Sequence, residues 1–158
     1  MKTGKWMYFI DGNDIDRVWS KIVKALADGD GPLAKTGVVS TAKVAASPNG
    51  RGGSHLICVY VNDSWNLNSI EKVFKALRDD CGLLSKSYKC DAYTHLGINT
   101  GHATGISPIL YKNTDFMTKT DIEESDTPAK QVTPKKRTLE DEQELGLADL
   151  DPVASDEA

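Results

Sequence analysis

Lys5-Trp6-Met7-Tyr8-Phe9-Ile10-Asp11-Gly12-Asn13-Asp14 is the stretch on which the fold turns. Its first six residues are β-formers of nearly continuous apolar character, and they read as a strand. Trp6 and Tyr8 alternate onto one face of it, which is assigned to the core. The next four are turn and capping residues, and Asn13 or Asp14 can accept from the first unpaired N–H groups of a helix. Ile15, Val18, Trp19, Ile22, Val23 and Leu26 then recur at helical spacing on one face. Asp28-Gly29-Asp30-Gly31-Pro32 stops that helix, with Gly29 suited to a left-handed cap.

The same alternation of signals continues downstream. Residues 37–46 and His55–Val61 read as strands, separated by a loop over 47–54 that its Gly and Pro content requires. Asn68 followed by Glu71 has the form of a capping box, and Ile70, Val73, Phe74 and Leu77 make the apolar face of a second helix ending at Gly82. Residues 92–98 and 106–111 read as two further strands around a small-residue turn. The order strand, helix, strand, strand, helix, strand, strand predicts an α+β fold: a mainly antiparallel sheet with two helices on one face. A ferredoxin-like split βαβ arrangement is the competing fold.

Composition divides the 158 residues into two unlike parts. Residues 1–117 hold 14 Lys and Arg against 11 Asp and Glu, a net +3, whereas residues 118–158 hold 5 against 12, a net −7. The second part has no Trp, Tyr or Phe, so it cannot bury enough apolar surface to offset chain entropy. The expected domains are therefore a folded unit over 1–117 and a disordered acidic tail over 118–158. No apolar run approaches the length needed to cross a bilayer, and no signal-type segment is read at the start. Cys58, Cys81 and Cys90 are an odd set without CxxC spacing, which argues against a disulfide framework or zinc ribbon. Reduced thiols in a cytoplasmic protein, with the nucleus as an alternative, are the expectation.

Several short segments in order carry a family resemblance. Gly4-Lys5-Trp6-Met7, Asp16-Arg17-Val18-Trp19, Val39-Ser40-Thr41-Ala42-Lys43, His55-Leu56-Ile57-Cys58-Val59-Tyr60 and Lys89-Cys90-Asp91-Ala92-Tyr93-Thr94-His95-Leu96-Gly97-Ile98 resemble the basophilic leukemia-expressed protein family over residues 1–111. The resemblance implies a curved antiparallel sheet backed by helices, similar to the cap-binding translation initiation factor. It also implies kinship with phosphothreonine lyases, in which a lysine removes the Cα proton, a histidine protonates the leaving phosphate and arginines hold it. This chain departs from that chemistry. Met7 stands where the lyases carry the histidine, Val38 replaces the lysine nearest the base position, and only Lys112 follows the late strand in place of an arginine-rich ending.

The remaining candidates bear on binding. Lys5, Lys35, Lys43, Arg51 and Lys89 are expected to line an anion site, although each is also an ordinary surface cation. Arg51 lies in a glycine-rich loop whose N–H groups suit phosphate, but the GxxxxGK[ST] pattern is missing. Among the tryptophans, Trp6 and Trp19 fall on core faces, which leaves Trp65, in a polar loop, as the stacking candidate. His55, His95 and His102 do not form a zinc set; His95 is the histidine placed at the site, as a structural residue or a replacement acid. Cys58, inside an apolar strand, is read as inert core. No metal or cofactor is implied.

The tail holds Pro134-Lys135-Lys136-Arg137, a short nuclear-targeting pattern, and the phosphorylation candidates Thr127-Pro128 and Thr133-Pro134. Residues 139–150 offer a short acidic helix to a protein partner. Taken together, the sequence predicts a non-catalytic binding module for a phosphate-bearing ligand, RNA or nucleotide in preference to phosphopeptide. A divergent phosphothreonine lyase-like enzyme and a tail-mediated interaction scaffold are the alternatives.

Overall fold

The opening strand becomes the middle of the sheet. In the computed structural model, which describes residues 2–48 and 51–126 with the side chains of Arg51 and of residues 123–126 excepted, β1 (Gly4–Ile10) lies between β3 (His55–Val61) and β4 (Ser87–Cys90). With β2 (Val39–Val44) outside β3 and β5 (Tyr111–Lys112) outside β4, the order is β2-β3-β1-β4-β5, antiparallel at every step. The α+β class with an antiparallel sheet is as expected. Helix α1 (Ile15–Ala27) and the five-residue α2 (Pro32–Thr36) connect β1 to β2, and α3 (Leu67–Lys75) connects β3 to β4. Both connections join strands that are parallel and separated by a third, so the first four strands also have the split βαβ connectivity of the competing fold.

One face of the sheet is packed under these helices. Trp6 and Tyr8 are paired with Val59 and Ile57, and Tyr88 lies opposite Trp6 on β4. Val18, Ile22 and Ala25 of α1 join them, as do Ile70, Val73 and Phe74 of α3 and Leu33 of α2. Trp6 is fully buried, with its ring 5.1 Å from Phe74, 5.2 Å from Tyr88 and 5.8 Å from Phe116. Its indole N–H donates to the Ile70 carbonyl at 3.3 Å, so the one polar atom of this large side chain is satisfied. Trp19 is half-buried against the same cluster.

Differences from the sequence expectation have local causes. Residues 92–98 are not a strand: Cys90 ends β4 and α4 (Asp91–His95) follows, closed by Leu96 N–H donating to the Ala92 carbonyl. Gly97, with φ of 68°, stops it in the left-handed conformation that glycine tolerates. The strand expected over 106–111 is reduced to Tyr111–Lys112, and its unrecognised partner is Ser87–Cys90, which buries Tyr88 and Cys90. The cap of α3 is Asn66, whose side chain accepts from Ser69 N–H at 3.2 Å, rather than Asn68. Asp28, not a left-handed Gly29, ends α1. Past residue 117, Lys119–Asp126 form helix α5, and the rest of the expected tail, with its basic, phosphorylation and partner-helix segments, lies outside the described residues. No helix among the described residues is long and apolar enough to cross a membrane.

Gly4 shows how tightly the packed face is made. The Ser64 hydroxyl and the Tyr88 phenol hydrogen-bond at 2.9 Å in the interior, directly above the Gly4 backbone. A Cβ at Gly4 would run into both oxygens. Gly4→Ala is therefore expected to cost about 1–3 kcal/mol by overpacking. Urea unfolding should show a lower midpoint at unchanged slope; a shift within about 0.5 kcal/mol would mean that the pair gives way freely.

Candidate functional site

The helices leave the other face of the sheet to a different set of side chains. Strand alternation turns Lys5, Met7 and Phe9 of β1 away from the core, together with Leu56, Cys58 and Tyr60 of β3. Ser87 and Lys89 of β4 and Lys112 of β5 continue the face through their pairing with Met7, Lys5 and Ser87. On β2 the register shifts between Val39 and Thr41, a bulge that absorbs one residue. Val39 therefore faces the core while Thr41 and Lys43 lie opposite Tyr60 and Cys58 on the open face. Without the bulge Lys43 would point inward. The five strands contain no Asp or Glu, and their four lysines, Lys5, Lys43, Lys89 and Lys112, all belong to this one face.

Tyr60 is the centre of the arrangement. The Lys5 ammonium lies 5.3 Å and the Lys43 ammonium 5.4 Å from its ring centroid, both within cation–π range. Lys5 is also ion-paired to Asp91 of α4 at 2.8 Å, and Asp91 accepts a second hydrogen bond from the Thr3 hydroxyl at 2.7 Å. The Lys89 ammonium donates to the Ile98 carbonyl at 2.9 Å. The segment following β4 thus folds over one corner of the face, and Lys43, Phe9 and Lys112 remain exposed beyond it.

These contacts set the charge states. Burial works against the Lys5 ammonium, but the hydrogen bond and charge of Asp91 outweigh it and hold its pKa above the ordinary lysine value. Burial likewise opposes ionisation of Asp91, yet Lys5, Thr3 and the nearby His95 together hold its carboxyl below the usual range. Burial pushes the Cys58 thiol up, with Lys5 and Lys43 only partly opposing it, and also raises the Tyr60 phenol. Lys5 is therefore a fixed cation and Cys58 a fixed thiol at neutral pH. Neither has the depressed pKa that a catalytic base or nucleophile requires.

Lys5, Lys43 and Lys89 of the expected anion set come together on this face, and His95, exposed on α4, borders it through Asp91. Lys35 does not join them: it is exposed on α2, in the helical layer. Trp65 is 62% exposed in the loop between β3 and α3 rather than on the sheet. The Arg51 side chain lies outside the described residues. Tyr60, Phe9 and Asp91 were not singled out by the sequence, although alternation along β1 and β3 carries the signal for the two rings. Among the described residues no group of three or more His, Cys, Asp or Glu is gathered for a metal ion.

The Lys5–Asp91 pair makes stability pH-dependent with a defined sign. Asp91 is depressed in the fold, so its contribution is complete above the unfolded value of about 3.9 and is lost as pH falls through the folded value. Lys5 is raised, so its share is complete below about 10.4 and is lost as pH rises through its folded value. Asp91→Asn should destabilise by about 1–3 kcal/mol at neutral pH, as expected for removal of a charged hydrogen bond. Urea titrations should show that deficit shrinking toward zero below about pH 3.9. A deficit that persists at acid pH would assign the effect to packing rather than charge. Compared with known protein families, residues 1–97 match the model described as basophilic leukemia-expressed protein Bles03, a span that takes in β1 to α4 and every open-face residue up to His95.

Proposed function

The chain belongs to the basophilic leukemia-expressed protein Bles03 family, and we propose that its open sheet face is a non-catalytic binding surface for a phosphate-bearing ligand, RNA or nucleotide in preference to phosphopeptide. The observation that carries this reading is the placement of Lys5 and Lys43 over the Tyr60 ring, with Lys89 opposite Lys5 on β4, on a face whose strands hold no carboxylate. The Lys5 corner already accommodates an anion, since Asp91 occupies it. A phosphate oxygen can replace that carboxylate with the same charge-assisted geometry. Binding rather than catalysis is supported by the raised Lys5 and by Met7, which shares its face and has no proton to give. A cytoplasmic setting, with the nucleus as an alternative, goes with this reading, since Cys58, Cys81 and Cys90 are all unpaired thiols.

Titration of the full chain with a labelled RNA oligomer, an adenosine nucleotide and a phosphothreonine peptide at two salt concentrations tests the proposal. Affinity should fall with salt. Lys43→Ala should weaken binding and flatten the salt slope by about 0.7 for each phosphate of a single strand that it leaves without a cation. Asp91→Asn, by releasing the Lys5 ammonium, should tighten binding about five-fold, the equivalent of one net hydrogen bond. No binding to any of the three, or Lys43→Ala indistinguishable from the parent, overturns it.

The non-catalytic part has its own test. Mass spectrometry of the phosphothreonine peptide after long incubation should find the phosphate intact. Turnover to dehydrobutyrine would restore the lyase reading.

A further inference from the structure

The open face also carries aromatic rings that phosphate contacts leave unused. Phe9 is 57% exposed near the end of β1, opposite Leu56 of β3. Tyr60 is half-buried on β3, opposite Lys5. β1 and β3 are neighbouring inner strands of β2-β3-β1-β4-β5, and the two rings lie toward opposite ends of that pair, Tyr60 beside Lys5 and Phe9 beyond the last residue paired with β4. Phe9 and the position opposite Tyr60 are four residues apart on β1, which separates the two rings by about 13 Å along the strand direction. A single base cannot stack on both. Two bases of one chain can.

The geometry points to a single-stranded polynucleotide as the ligand of this face, with one base on Phe9, another on Tyr60 and its phosphates on Lys43, Lys5 and Lys89. The inference rests on the phosphate-binding reading above and narrows it. Charge complementarity favours the polyanion, because all four lysines of the sheet share the face and its strands hold no carboxylate. The rings select among polyanions. A mononucleotide engages one ring and leaves the exposed Phe9 unused, and a duplex keeps its base faces stacked internally. A single strand presents base faces and phosphates together, and aromatic side chains on an open sheet suit it. At Tyr60 the incoming base takes over the ring face from a lysine ammonium. That ammonium exchanges a cation–π contact for a stronger charge-assisted hydrogen bond to phosphate.

The test uses the full-length protein with a fluorescent six-nucleotide RNA, the matching DNA strand, and the RNA duplex of the same sequence. Single strands should bind at least about ten-fold more tightly than the duplex. Phe9→Leu and Tyr60→Leu should each weaken single-strand binding about five-fold or more at unchanged salt slope, because stacking releases no counterions. Tyr60→Phe should recover most of the affinity. Phe9 is largely exposed, so its variant reports stacking without a folding penalty. Equal binding of RNA and DNA assigns recognition to bases and phosphates, and preference for RNA adds the 2′-hydroxyl; either result supports the inference. If both leucine variants bind like the parent while Lys43→Ala is impaired, the phosphate surface stands and the stacking inference falls. Duplex binding as tight as single-strand binding also overturns it. If none of the three nucleic acids binds, the inference falls, while the broader phosphate-binding reading falls only if the nucleotide and the phosphothreonine peptide fail to bind as well.

Discussion

Burial of Trp6 decides which side of the sheet is available for anything else. The side-chain period along a strand is two, so a shift of one residue in β1 would exchange the two faces completely. Trp6 removes that freedom, because its ring fits among Phe74, Tyr88 and Phe116 and its N–H meets the Ile70 carbonyl of α3. With Trp6 inside, Lys5, Met7 and Phe9 must be outside. The aromatic cluster and the lysine-bearing surface are two results of one register, and neither can be altered without the other.

The cations on that surface are held in place by two kinds of contact. Lys5 is held by Asp91, and Lys43 is parked over the Tyr60 ring. The first is a strong local contact in a partly covered corner, and the second is an exposed and exchangeable one. For the binding role proposed above, cations already fixed in this way would lower the ordering cost of association.

The long periodic elements were legible in the sequence, and the short ones were not. β1, α1, β3 and the body of α3 follow from apolar spacing, because each is long enough for a period of two or 3.6 to be distinguished. Residues 91–95 are not: Ala92, Tyr93 and Thr94 suit a strand by type, and one turn of helix is too short to show its period. The site was legible to the same degree. Lys5, Lys43 and Lys89 could be nominated as cations, but the face of Lys43 depends on a bulge that no residue type announces. Asp91 meets Lys5 across 86 positions of chain, a contact that only the β1–β4 pairing creates. Trp65 stands out in the sequence as the tryptophan in a polar loop, while the rings on the open face are Phe9 and Tyr60, concealed within runs that read as nearly continuously apolar.

The same bulge has a bearing on self-association. An antiparallel sheet that is not closed ends in two rows of backbone amides and carbonyls that can template another strand. Here β2 forms one margin, and its irregularity between Val39 and Thr41 breaks the even spacing of donors and acceptors that an incoming strand would need. Lys43 adds a charge to the same strand. The other margin, β5, is two residues long, too short to nucleate a ladder. Both borders of the sheet are thereby poor templates, so an aromatic and basic surface can be left uncovered without inviting edge-to-edge stacking of neighbouring molecules.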